Sequence, residues 1–561
     1  MPADDSSDDD TVRMPLTEAV PLADFLAHRT LMTVAERQVV IEQAIGILRH
    51  VYVHLPVKQA LYGIDPVARL LALRDRLHTA RPDEDLAFHR EMVAILSSCR
   101  DMHTGYYLPR PFDRSVAFLP LQIEDFYDGP TPRYVVTRTL PGGPGATEDA
   151  TRLQRGVEVL QWDGDPIDAA VEREGAVSPG INAEARRARG VYRLTTRFLA
   201  KCPPPERAQV RVTYRDTDGT VRNHTVTWRV ATLPAGVASL AEGTPIGQSG
   251  PAQDFETEVF LALKRELAAR QQALPQAPAA AAPAPLPTSL PGVFEAFART
   301  APDGQTYGYL RIRSFALDDA AQAAGEFNRL VAALPPRGLV IDVRDNPGGS
   351  IQAAEMMVQA LAGRPLDRAP LLFRTTPFIL RLCERWPEVY QRWTPTLARA
   401  QRTGATYSAG VPLWPDSSYA AVSPCHAGPV VLIVNALSYS ATDFFAAAFQ
   451  DHAVGRVLGT HGSTGGGGAN LRTLQSLVDE IGTDRQRFED IWPPVALPQG
   501  ADIHVAFRRS LRTGRYAGLE VEDFGVSPDA GLHRLTRRDA LEGNPDLFAA
   551  AVAILKAMAP A

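Results

Sequence analysis

Between about Pro21 and Arg100, apolar residues return every third or fourth position, as in VAERQVVIEQAIGILRHVYVHL and DPVARLLALRDRLHTA. That spacing lines one face of a helix and predicts a helical N-terminal part. The period then shortens towards two. FLPLQIEDFY, RYVVTRTL, VEVLQWDG, AQVRVTYRD and HTVTWRV are separated by Gly, Pro and Asp turns, so a strand-rich region is expected over 112–232. FETEVFLALKRELAAR (255–270) returns to a helical period, and ALPQAPAAAAPAPLPTSLPG (273–292) has too little side chain to pack and reads as a linker. Beyond it the patterns alternate. YGYLRIRSF, RGLVIDVRDN, PVVLIV and GRVLGT read as strands, while DDAAQAAGEFNRLVAAL, SIQAAEMMVQALAG and ATDFFAAAFQD read as helices. Such alternation predicts an α/β core with largely parallel pairing.

The expected division is an acidic disordered tail (1–20), a helical domain (21–111), a β-rich domain (112–232), a helix plus Pro/Ala-rich linker (233–292), a core (293–536) and a C-terminal helix (537–561). Residues 365–425 interrupt the core with Trp386, Tyr390, Trp393 and Trp414. This insert is expected either to form an accessory subdomain with its own small core or to lie as a lid over a groove, where its tryptophans would favour apolar ligands.

Composition narrows the picture. At 561 residues the chain holds several domains. A net charge of −6 gives no reason to expect nucleic acid or an anionic membrane as partner. No apolar run approaches the length of a membrane span. The opening MPADDSSDDDTVRMP lacks the apolar core of a signal peptide, so the protein is expected in the cytoplasm, or in the periplasm or medium after loss of a leader. Cys99, Cys202, Cys383 and Cys425 lie far apart with no CxxC, which indicates neither zinc nor a disulfide scaffold. Lysine is scarce: Lys58, Lys201, Lys264 and Lys556 are the only four among 58 basic residues.

Two strand-to-helix junctions carry the candidate chemistry. In VRDNPGGSIQ, successive glycines allow close backbone approach, and N–H groups at a helix start are anion donors, the parts of an oxyanion hole. A plain glycine turn capped by Ser350 reads equally well. In NALSYSATDFF, Ser440 stands where a strand meets a helix, as an N-cap or as a nucleophile with the Ala441 N–H beside it. Both junctions fall at carboxyl ends of strands, where open α/β sheets place active sites. The GGGG run (465–468) lacks the context of a phosphate loop, Asp345 has no second carboxylate at ligand spacing, and Cys425–His426 does not form a thiol dyad.

LVIDVRDNPGGS, LIVNALSYSATDFFAAAFQD and VLGTHGSTGGGG, in this order, resemble the C-terminal processing (tail-specific) proteases and their tricorn-like relatives, including the chlamydial protease-like activity factor. The resemblance covers about 305–535. It implies a multidomain α/β protein: a crotonase-like ββα superhelix core with a PDZ-like β-rich domain and an N-terminal helical domain. It implies Ser440 as nucleophile, with the oxyanion hole from Gly348 or Gly349 and Ala441. LQRGVEVLQWDGDPIDAAVE is similar to a PDZ stretch, with Val157–Glu158 in place of the usual Gly-Asp order, and raises peptide binding there as an expectation.

The family's lysine base would fall on Gly465, and no lysine lies between Lys264 and Lys556, so a Ser-Lys dyad is not expected. The tricorn-like branch implies histidine and glutamate instead. His103 in CRDMHTGYYLP resembles that branch's base motif, and Glu522 in GLEVEDFGVSPD aligns with its acid, with Glu520 and Asp523 as neighbouring alternatives. His461 in the glycine-rich loop is the alternative base, whereas His452 would lie roughly 18 Å from Ser440 along one helix. The expected function is a serine endopeptidase acting on polypeptides through an acyl-enzyme, without metal or cofactor; tricorn-like enzymes often assemble, so a homo-oligomer is open. The alternative is a catalytically inactive or latent member that binds peptides or apolar ligands.

Overall fold

The computed structural model describes residues 14–77, 84–140, 153–234, 252–253, 255–272, 284–419 and 425–558. The acidic tail before residue 14 and the linker over 273–283 lie outside the described residues. The N-terminal part is helical as its period predicts: α1 (Val34–His50), α2 (Leu55–Tyr62), α3 (Pro66–Arg76) and α4 (Asp85–Ser97). A capping box between Thr33 and Glu36 starts α1, and Gly63 in the left-handed region ends α2. Within VAERQVVIEQAIGILRHVYVHL the first helix ends at His50, and α2 sets off separately at Leu55.

Strand β1 (Gly105–Tyr107) follows, and then the β-rich region. Strands β2 (Leu121–Asp128), β3 (Thr131–Thr139), β4 (Glu158–Trp162), β5 (Gln209–Arg215) and β6 (Val221–Thr227) form an antiparallel sheet in the order β6-β5-β4-β3-β2. Two helices that the strand-like reading of this stretch overlooked, α5 (Ile167–Ala176) and α6 (Ala183–Arg193), cross within it. Their short apolar faces use Ala and Gly, which weakens the sequence signal but lets the helices touch closely. Helix α7 (Phe255–Gln272) leads to the core.

The core sheet comprises β7 (Phe294–Thr300), β8 (Thr306–Ile312), β9 (Leu339–Asp342), β10 (Val430–Val434) and β11 (Arg456–Gly459). β7 pairs antiparallel with β8, and β8 to β11 are parallel in chain order. Every position of β9 (LVID) and β10 (VVLIV) is buried, on both faces, as parallel strands require. Helices α8 (Ala320–Ala333), α9 (Ile351–Ala362) and α10 (Ala441–Asp451) supply the crossovers, and α11 (Pro545–Met558) packs on the sheet through Leu547, Phe548, Ala551 and Val552. A further strand, β13 (Asp502–Ser510), pairs with β12 (Ala469–Thr473) on one side and with β1 on the other. Gly105 permits the β1 contact, because a Cβ there would stand 2.7 Å from the His504 ring.

The 365–425 insert is neither expected form. Trp386, Tyr390 and Trp393 are buried in the main apolar core, where Phe373 meets Trp393 edge-on at 5.7 Å and Phe507 of β13 at 5.0 Å. These three aromatic rings are therefore spent on packing and are not offered to a ligand.

Candidate functional site

The two junctions are stitched together by their own polar side chains. Asn435, ending β10, donates to Asp345 Oδ1 at 2.6 Å and accepts from Asp345 N at 2.9 Å. Tyr439 N donates to Asn346 O at 3.0 Å, and Thr442 Oγ1 donates to the same oxygen at 3.2 Å. Glycine-turn and serine-turn thus form one unit at the carboxyl edge of the sheet.

Ser440 occupies φ 60°, ψ −120°, a region that L-residues rarely adopt. Strain of this kind costs on the order of 1–3 kcal/mol and persists only where surroundings impose it. Here Asp443 imposes it, accepting from Ser440 N (2.9 Å), Gly466 N (3.0 Å), Gly467 N (2.8 Å) and the Thr464 hydroxyl. Burial outweighs these donors and pushes the Asp443 carboxyl up to about 6.

The Ser440 hydroxyl is buried and lies 3.1 Å from His103 Nε2. His103 reaches it from the loop between α4 and β1, where its backbone N–H is fixed by Asp101 Oδ1 at 2.8 Å and Thr104 bonds the other Asp101 oxygen at 3.0 Å. The second ring nitrogen, Nδ1, meets the Tyr439 hydroxyl at 3.1 Å. The glycine run explains how these rings fit. A Cβ on Gly467 would come within 2.5 Å of the Tyr439 ring and 3.0 Å of His103. Burial, then the Asp101 and Glu522 charges, hold the Tyr439 phenol far above its ordinary range.

Glu522 lies behind this pair. It accepts from Gly468 N at 3.1 Å, faces His54 Nε2 at 3.7 Å and pairs with Lys58 Nζ at 2.8 Å. Lys58 enters from α2, also 2.6 Å from Asp523 Oδ1, and is fully buried. Burial works against its ammonium, but Glu522, Asp101 and Asp523 prevail and hold it protonated. Burial, with Asp101 and Asp523, pushes the Glu522 carboxyl well above its usual range, and Lys58 opposes that push. His54 is kept neutral by burial and by Lys58. His54, Asp101 and Glu522 form the one cluster among the described residues with metal-ligand spacing, yet the Lys58 ammonium already stands against its Glu522 carboxylate.

Of the expected oxyanion donors, Gly348 is turned away, because its N–H donates to Asn346 Oδ1 at 3.0 Å. Gly349 (φ 136°) is itself paired with Ala252, and Ala441 opens α10, where a first-turn N–H has no place in the helix ladder. The outer edge of the glycine pair runs antiparallel to Ala252–Gln253. His461 sits at the end of β11, its Nδ1 3.3 Å from Thr460 Oγ1, in the field of Asp125 and Glu184. Glu520 pairs with Arg509. Sequence reasoning missed Tyr439, Asp443 and Lys58. Asp443 was legible as the acid three residues after the serine, and Lys58 as a lone cation three residues from Leu55 on the buried side of α2. Nothing in the sequence marked Tyr439.

Comparison with known proteins follows the same lines. The peptidase family S41 profile matches residues 306–371 and 382–484, and the PDZ domain profile matches 115–237. No curated protein matches in sequence. Among solved structures, mature CPAF is similar at 17% identity and TM-score 0.63, covering 93% of this chain and 98% of its own, and CPAF complexed with lactacystin gives the same values. The photosystem II D1 C-terminal processing protease is 18% identical over 94% of this chain and 99% of its own, with a TM-score of 0.35.

Proposed function

We propose that the chain, whose residues 306–371 and 382–484 match the peptidase family S41 profile, is a serine-type endopeptidase working through Ser440, His103 and Glu522. The observation that carries this reading is the 3.1 Å approach of His103 Nε2 to the hydroxyl of a serine held at positive φ. His103 takes the Ser440 proton as Oγ attacks a peptide carbonyl, and the tetrahedral oxyanion accepts from the N–H groups of Gly349 and Ala441. The imidazolium then gives its proton to the departing amine. Water, deprotonated by the same ring, hydrolyses the acyl-enzyme and returns Ser440 to its hydroxyl form.

The oriented ring needs a partner at Nδ1. The Tyr439 hydroxyl, 3.1 Å away, accepts a hydrogen bond from the Nδ1–H of the imidazolium, and the Glu522 carboxylate behind it supplies the compensating charge. Lys58, 2.8 Å from Glu522, opposes the push of burial on its carboxyl. Lys58 is not itself the base, because its ammonium is held by carboxylates. The helical part (21–111), the PDZ-like part (112–232) and the core (293–536) act as one catalytic unit, the PDZ-like part binding segments of the polypeptide substrate.

Casein hydrolysis and fluorophosphonate labelling test the triad. Wild type cleaves and is labelled; Ser440→Ala does neither; His103→Ala and Glu522→Ala lose at least about 10²-fold in kcat. Full activity in His103→Ala would move the base to His461. A wild type that is inert and unlabelled would favour a latent, peptide-binding protein.

A further inference from the structure

The carboxyl ends of all four parallel strands open onto a cavity of about 880 Å³, roofed by β2, β3, α6 and α7. A parallel sheet is ordinarily covered by apolar packing on both faces. α11 does this over Tyr309, Val340, Val431, Ile433 and Leu458, but in the register row of Ile433 the strands β8 and β9 carry Arg311 and Asp342 instead. β7 and β8 present Arg299, Arg311 and Arg313 into the cavity, and Arg344 follows β9. The lining holds eight Arg and Lys side chains against six carboxylates.

That excess is visible in how the charges are shared. Asp342 is shared by Arg311 (2.5 Å) and Arg344 (2.8 Å), with Asp345 3.7 Å from Arg311, and Glu124 is shared by Arg138 (2.9 Å) and Lys264 (2.7 Å). Arg299 bonds two neutral oxygens, Gly543 O at 3.1 Å and Asn544 O at 3.3 Å. Arg313 pairs with half-exposed Glu295, while burial and the Arg311 and Arg265 charges push its guanidinium down. Half-buried guanidiniums in surplus are costly unless an anion meets them. The cavity also shares its wall with the catalytic turns. Asn435 and Leu437 lie on the turn that presents Ser440, and Asp345 lies on the turn that leads to the glycine pair.

We propose that this cavity receives acidic side chains of the polypeptide substrate, docked on Arg299 and Arg313, so that the enzyme selects segments with Glu or Asp flanking the cleaved bond. The proposal rests on the peptidase reading above and adds a substrate class to it. A carboxylate–guanidinium bond pair is charge-assisted and worth roughly tenfold in selection.

The test uses two peptide sets of equal length, one carrying Glu and the other Gln at successive positions on either side of the cleaved bond. Wild type is expected to favour the Glu set by roughly tenfold in kcat/KM, with the preference falling as salt rises. The double variant Arg299→Gln/Arg313→Gln brings the ratio of the two sets to about one, and Arg299→Lys/Arg313→Lys retains part of it. Equal turnover of both sets by wild type overturns the proposal, as does an unchanged ratio in the Gln double variant. If neither set is cleaved, the peptidase reading fails, and the same peptides, fluorescently labelled, are titrated into the wild-type protein. Charge-selective binding abolished in the Gln double variant upholds the cavity's role; charge-blind binding, or no binding, overturns it.

Discussion

Lys58 donates no proton in the proposed mechanism, yet Glu522 depends on it. Removing it strands Glu522, Asp523 and Asp101 as buried acids, a change that costs about 3–5 kcal/mol when a buried pair is broken. Lys58→Met is therefore expected to lower Tm and kcat together, and to move the acid limb of the kcat profile to higher pH, because the unopposed Glu522 carboxyl ionises later. Lys58→Arg should restore part of the profile, which a purely structural role would not require. Asp443 gives a second test, in stability. Burial pushes its carboxyl up to about 6, above the ordinary 3.8, so the folded state holds its proton more tightly. The resulting stabilisation is complete below the unfolded pKa and is lost as pH rises through the folded one. Relative to Asp443→Asn, wild type should lose about 2 kcal/mol between pH 4 and 7 in urea unfolding. A flat difference across that range would refute burial as the dominant influence on this carboxyl.

At the scale of elements, glycines set how closely segments approach. A Cβ on Gly190 of α6 would stand 2.1 Å from Val171 O of α5, and one on Gly175 would stand 2.5 Å from Arg186 O. The two helices therefore touch backbone to backbone. Gly190→Ala is expected to destabilise the PDZ-like region by about 1–3 kcal/mol or more, read as a lowered urea midpoint. The glycine run 465–468 works in the same way against Tyr439 and Glu522, which explains a low-complexity stretch that sequence patterns left without a role. Trp386, Tyr390 and Trp393 show the opposite case. As aromatic residues in an insert they suggest a surface, but Phe373 and Phe507 draw them into the core.

At the scale of the molecule, the groups of the proposed site come from segments remote in sequence. His103 and Ser440 are 337 residues apart, and Lys58 and Asp523 are 465 apart. The helical part is thus built into the site, since α2 brings Lys58, and β1, pairing with β13, anchors the loop that carries His103. A chain beginning at residue 112 keeps Ser440 but loses both. It is expected to remain unlabelled by fluorophosphonate under conditions where the full chain reacts.

Periodicity alone determined the helical start, the β-rich middle and the alternating core, because burial of one face imprints a repeat on the chain wherever an element forms locally. Ser440 and the glycine turn stand out in the sequence as strand-to-helix junctions, whereas His103 and Glu522 enter the proposed site through the resemblance of their motifs to the tricorn-like branch. The tertiary structure decided what those residues touch. It set the Tyr439 hydroxyl on His103, turned Gly348 toward Asn346, placed a lysine from the first hundred residues beside Glu522 and left arginines facing a cavity at the strand ends. Each of these is a contact across long stretches of chain or a side-chain direction, and neither leaves a period in the sequence.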